Sequence, residues 1–172
     1  MSRTANFSRT LCDTLNGSGT AYKWRIGTPP YPCDNKECVD VIGENRDRIV
    51  LIEVELRRTA PVTNIVKIWK WLAEKNLYLG KYVLVVQTFS AYYDGQPSFQ
   101  RDNAIFLGEE MQLILGESRV RYLPVNFPYS PYKKRVTSSV TEGGGAMRRA
   151  ARELATTLAS AVDRPRILTA AT

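Results

Sequence analysis

Glu37-Cys38-Val39-Asp40-Val41-Ile42-Gly43, then Glu44-Asn45-Arg46-Asp47-Arg48, then Ile49-Val50-Leu51-Ile52-Glu53-Val54-Glu55-Leu56 is the stretch on which the fold turns. Two apolar, β-branched runs flank a polar segment, the pattern of a β-hairpin. Side chains alternate faces along a strand, so Ile52, Val54 and Leu56 share one face while Glu53, Glu55 and Arg57 share the other. Pairing Val39 with Val54 and Val41 with Ile52 sets apolar against apolar. That register puts Asp40 opposite Glu53 and centres the turn between Arg46 and Asp47, inside the polar run.

On the N-terminal side, Thr28-Pro29-Pro30-Tyr31-Pro32 cannot continue a ladder through its prolines and reads as an irregular loop. Tyr22 to Ile26 is a plausible strand. Residues 3 to 16 carry Phe7, Leu11 and Leu15 at helical spacing and end at Asn16-Gly17-Ser18-Gly19, the pattern of a short helix. On the C-terminal side, Pro61 opens an amphipathic helix from Val62 to Asn76, with Ile65, Ile68, Trp69 and Leu72 on its apolar stripe and Trp71 flanking. Tyr82-Val83-Leu84-Val85-Val86 has the length and continuity of a strand covered on both faces, and the intervening helix makes a βαβ-like crossover.

Ala104 to Leu115 reads as a helix and Val120 to Val125 as a short strand. An exposed loop is expected from Pro124 to Pro131, leading to Tyr132 and the basic cluster Lys133-Lys134-Arg135. Glu142-Gly143-Gly144-Gly145 reads as a hinge before a last helix with Met147, Ala151, Leu154, Leu158 and Ala161 on one side and Arg148, Arg149 and Arg152 on the other. The expected organisation is a single α/β domain over residues 1–140. Residues 141–172 then form a hinge and an amphipathic helix packing on the body or on a second subunit.

Composition sets the limits. At 172 residues, 44% hydrophobic and 24% charged, the chain suits one globular domain. No apolar run reaches membrane-spanning length and the N-terminus lacks the apolar core of a secretion signal, so a cytoplasmic protein with no membrane partner is expected. Cys12, Cys33 and Cys38 are odd in number and lack a CxxC spacing, so neither a disulfide framework nor structural zinc is expected. The absence of histidine removes Ser-His-Asp and Cys-His nucleophile systems. Catalysis is left to carboxylates, lysines, tyrosines or bound metal. A net charge of +7 favours polyanionic partners.

Two acids about 7 Å apart along one strand, with Asp40 beside them, repel one another unless a positive group sits among them. A hard divalent cation, Mg2+ or Mn2+, meets that need through carboxylate oxygens, water and substrate phosphate. The plainer alternative is that Glu53 and Glu55 lie on the solvated face of a half-exposed strand, paired with Arg57 or Arg25.

Helix, loop, strand with Asp40, turn, strand with Glu53-Val54-Glu55, helix and apolar strand, over roughly residues 20 to 90, resembles the core of the restriction-endonuclease-like superfamily, the PD-(D/E)XK nucleases. The resemblance implies a three-layer α/β core with a mixed central sheet flanked by helices. It also implies Mg2+- or Mn2+-dependent hydrolysis of phosphodiester bonds in DNA, and a possible homodimer. Asp40 looks like the first metal ligand and Glu53 like the second. Glu55 stands where these enzymes usually carry lysine; a minority of restriction enzymes are similar in having Glu there, and other members place the lysine on the following helix, where Lys67 or Lys70 would serve. Catalytic roles then fall to Asp40, Glu53, Glu55 and Lys67. Arg57 and Arg58, and Lys133, Lys134 and Arg135 beside Tyr129 and Tyr132, are the candidate nucleic-acid contacts. A catalytically inactive protein that keeps the scaffold as a nucleic-acid-binding or protein-interaction module is the alternative.

Overall fold

The computed structural model describes residues 3–27, 38–57, 60–74, 78–94, 99–129 and 140–162. The elements run α1 (Arg3–Asn16), β1 (Lys23–Ile26), β2 (Val41–Glu44), β3 (Arg48–Glu55), α2 (Val62–Glu74), β4 (Tyr82–Ser90), a 3-10 turn (Ala91–Tyr93), α3 (Phe99–Leu115), β5 (Val120–Phe127) and α4 (Val140–Val162). One five-stranded mixed sheet has the order β1-β2-β3-β4-β5, antiparallel through β3 and parallel from β3 to β5.

The hairpin has the expected register, with Val41 opposite Ile52 and Glu44 opposite Ile49. Its turn is held by Asn45, whose side-chain oxygen accepts from the backbone N–H groups of Asp47 and Arg48 at 3.0 and 2.8 Å. Such an Asx contact is a local means of fixing the loop, and Tyr82 N and Lys81 Nζ donate to its Asp47 and Asn45 carbonyls at 2.9 and 3.1 Å.

Beyond the hairpin, two parallel crossovers in the same direction, through α2 and then α3, place both helices on one face of the sheet. Ile49, Leu51, Val83, Val85 and Val120 point to that face and pack with Ile65, Ile68, Trp71 and Leu72 of α2 and Met111 of α3. The alternate set, Val50, Ile52, Val54 and Val86, packs on the other face with Phe7, Leu11 and Leu15 of α1 and Leu154 and Leu158 of α4. The result is three layers with the sheet buried in the middle, as the continuous apolar run at 82–86 requires.

Several local expectations change. Trp71 is buried and Trp69 only partly so, the reverse of the expected assignment. Asn64 also faces inward, so the buried stripe is 64-65-68-71-72, and a stripe drawn through apolar residues alone is rotated away from it. The strand β5 extends to Phe127 and takes Pro124 within it, where a loop was expected. Proline is tolerated because, among the described residues, β5 is an edge strand with β4 as its only neighbour. Glu142 to Gly145 lie inside α4 and form no hinge; the helix continues because its apolar stripe packs on α1 and the sheet, which outweighs the intrinsic penalty of glycine. Cys38 is disulfide-bonded, against expectation, while Cys12 is free and buried. One bond needs only two thiols, so an odd count excludes a framework and not a single bridge. Cysteine usage therefore lends the cytoplasmic expectation no support. No helix among the described residues is long and apolar enough to cross a membrane.

A candidate acid and lysine site at the end of the sheet

The carboxyl end of β3 lies beside the entrance to β2, and the acidic residues meet there. Asp40 precedes the first ladder pair of β2. Its backbone oxygen accepts from Gly27 N at 3.2 Å, and its side-chain Oδ2 accepts from Val54 N at 2.8 Å. Asp40 thus bridges two strands and uses its carboxylate where a strand residue would use its carbonyl. It was expected within the strand; the structure places it at the mouth, on the same side as Glu53.

Glu53 and Glu55 point to the α2 face, as the alternation demands, but neither is solvated: they are 2% and 0% exposed. The reading of a polar, half-exposed strand face is therefore excluded. What makes the burial tolerable comes from α2 and β4. Lys67 Nζ sits 2.8 Å from Glu53 Oε1, with its remaining donors on Cys38 O and Asn64 Oδ1 at 3.1 Å each. The same ammonium lies 5.4 Å from the centre of the Trp71 ring, a cation–π contact in a water-poor setting. Lys67 is only 8% exposed at its side chain, whereas Lys70 is exposed and pairs with Glu74 at 3.9 Å. Of the two lysines offered by sequence, Lys67 is the one that reaches the acids.

Glu55 is held by amides instead. Its Oε1 accepts from Asn64 Nδ2 at 2.7 Å and from Gln87 Nε2 at 2.9 Å. Gln87 is in turn fixed by donating to Pro61 O at 3.0 Å and accepting from the Tyr122 hydroxyl at 2.8 Å. Burial pushes the Tyr122 hydroxyl well above its ordinary range, so it stays protonated and remains a donor. Gly108 of α3 permits this chain of contacts, because a Cβ at that position would drive into the Tyr122 ring. The second oxygen of Glu55, Oε2, is buried and has no hydrogen-bond partner among the described residues.

Burial raises Glu53 from 4.5 to about 8; the negative charges of Asp40 and Glu55 add to the rise, and Lys67 opposes it. A buried cluster whose acid holds its proton into the neutral range beside a lysine is an environment in which functional carboxyls occur.

The donor set also answers whether a cation fits. A buried carboxylate oxygen with no hydrogen-bond partner among the described residues and a carboxyl raised by burial, with Asp40 and Glu55 adding to the rise, both mark a surplus of acceptors. Among the described residues no group of three acidic or thiol ligands stands together as a metal site. A site of two carboxylates, Asp40 and Glu53, completed by water and phosphate, is the kind magnesium takes.

Arg57 is exposed at the end of β3 and its guanidinium lies 5.5 Å from the Tyr92 ring centre. Tyr129 is partly buried against Phe7, at a centroid distance of 5.9 Å, so its ring is a core contact. Arg58, Tyr132, Lys133, Lys134 and Arg135 lie outside the described residues. Asn64, Gln87 and Tyr122 were not found from sequence. The available signals were an Asn on the apolar stripe of α2, and a Gln directly after the apolar run 82–86, which the parallel pairing sets level with Glu53.

Compared with known proteins, the chain matches no family model, no curated protein and no solved structure.

Proposed function

We propose that the protein is a metal-dependent nuclease that hydrolyses phosphodiester bonds of DNA, built on a restriction-endonuclease-like core with its lysine carried on α2. The observation that carries this reading is Lys67 Nζ at 2.8 Å from Glu53 Oε1. It supplies, from the following helix, the cation that the Glu55 position lacks.

Asp40 and Glu53 would hold Mg2+ or Mn2+, and such an ion supplies Lewis acidity toward a phosphate and acidifies a water. Lys67 offers an ammonium, fixed by Cys38 O and Asn64, to stabilise charge that builds on the phosphate oxygens. Asn64 and Gln87 orient Glu55 through one oxygen, and its second oxygen would be the acceptor for a proton once the site opens to water. The net charge of +7 favours approach of a polyanion.

A second reading has its own support. Glu53 already has a partner in Lys67 at 2.8 Å, as in a nuclease-fold protein that binds nucleic acid or another protein without cutting. Cleavage of plasmid DNA with Mg2+ or Mn2+ separates the two. The nuclease reading expects nicking or linearisation by wild type and its loss in Asp40→Ala and Glu53→Ala, together with loss of the metal-induced rise in Tm. Tight DNA binding with no cleavage under either ion overturns it in favour of the second reading.

A further inference from the structure

The end of the sheet away from the acids carries a cavity of about 500 Å³. It forms where β3 and β4 start and where the chain turns into β5, and the sequence sets a base at each of those starts. Arg48 opens β3, Lys81 immediately precedes β4 and Arg119 immediately precedes β5. All three line the cavity, together with Tyr82 and Asp47. Arg48 lies at the start of β3 and Glu53 near its end, roughly 17 Å apart at the strand rise, so the cavity is a separate place from the acid and lysine site.

Its walls are fixed by the backbone. Tyr82 N donates to Asp47 O and Val83 N to Arg119 O, each at 2.9 Å, which ties the three chain segments together. Gly80 and Gly116 hold the turns before β4 and β5 at φ of 83° and 87°, a region that favours glycine. Lys81 Nζ is 2.8 Å from Glu44 Oε1 and 3.1 Å from Asn45 O, so its charge is matched and it serves as wall.

The two guanidinium groups differ from that lysine. Arg119 Nη2 donates to Leu72 O at 2.7 Å, and a guanidinium keeps further donors after one such bond. Arg48 lies 6.0 Å from the centre of the Tyr82 ring, a contact that orients it and supplies no counter-charge. Both arginines are half-buried, and among the described residues neither pairs with a carboxylate. The Asp47 side chain is 84% exposed beside Arg46, so water and salt screen its charge.

Two oriented guanidinium groups without a counter-charge suit an oxyanion, and their forked N–H donors match phosphate geometry. A cavity in the range of about 300–1,000 Å³ holds a small organic ligand, more than a lone phosphate ion. Apart from the Tyr82 ring the lining is polar, so the remainder of that ligand is polar as well.

We propose that this cavity binds a small phosphate ester, a sugar phosphate or a nucleoside monophosphate, with Arg48 and Arg119 on the phosphate. The proposal rests on the cavity alone and is independent of the nuclease reading. Titration calorimetry at matched ionic strength tests it, with inorganic phosphate, ribose 5-phosphate and AMP as probes and ribose as the uncharged control. At least one of the two esters should bind more tightly than inorganic phosphate, inorganic phosphate should compete with it, and ribose should not bind. Arg48→Gln should weaken the ester by about tenfold or more, as expected for a lost charge-assisted contact. Arg119→Gln should do the same, with Tm measured beside it because Arg119 also holds Leu72 O. Arg152→Gln removes an equal charge from an exposed position on α4 that does not line the cavity, and should leave binding unchanged. Absence of binding by all three phosphates, full binding in Arg48→Gln, or equal weakening in Arg152→Gln overturns the proposal. So does a DNA oligonucleotide whose binding is lost in Arg48→Gln while neither ester binds, which would make the cavity a nucleic-acid contact.

Discussion

Glu53 concentrates the opposing forces of the site in one side chain. It is 2% exposed, and its carboxyl is raised from 4.5 to about 8 because burial and two neighbouring acids outweigh Lys67. Below pH 4.5 the folded and unfolded chains both hold this proton. Between 4.5 and about 8 the folded chain holds more of it than the unfolded chain, so stability falls as pH rises through that window and levels off above it. The full penalty is on the order of 5 kcal/mol. Gln at this position keeps the shape and cannot titrate. Urea midpoints measured over the pH series should show Glu53→Gln gaining on wild type as pH climbs from 4.5 to 8. A wild-type-to-variant difference that does not change with pH sinks the idea.

Helix α2 shows where the sequence was readable and where it was not. Its position, its crossover role and the burial of Ile65, Ile68 and Leu72 followed from the 3.6-residue repeat. The hairpin register followed equally, because a one-residue slip would bury the wrong face of β3. The tryptophans were misassigned because the buried stripe of α2 includes polar residues. Asn64 faces Glu55, and Lys67 is drawn inward by Glu53. Hydrophobic periodicity carries no information about a polar cluster, and the Gln87–Tyr122 link depends on β5 pairing with β4, which no local pattern encodes. The glycines of α4 were misread for a related reason: a helix whose apolar face is covered by α1 does not need high intrinsic propensity. These assignments predict different costs for two substitutions on the same helix. Trp71→Ala removes a buried ring that also lies beside Lys67, and should cost about 3–5 kcal/mol in urea unfolding. Trp69→Ala, at a partly buried position, should cost less than half as much. Equal costs would mean that the helix is rotated from the orientation described.

Taken together, the sheet buries both of its faces and leaves its acid cluster at one end, where β3 and β4 finish and β2 begins. Open α/β sheets place ligands at the carboxyl ends of their strands. The consequence for ligand binding couples the acids to solution pH. Under the proposed function, a divalent ion bound by Asp40 and Glu53 requires Glu53 without its proton, so binding releases that proton. Metal affinity should then rise about tenfold per pH unit below about 8 and flatten above it. Titration calorimetry with Mn2+ in buffers of different ionisation enthalpy would read both the affinity and the proton count. About one proton should be released per ion near neutral pH and almost none well above pH 8, with no such release in Glu53→Gln. Metal binding that is strong and independent of pH would place the ion away from Glu53, and the two-carboxylate site with it.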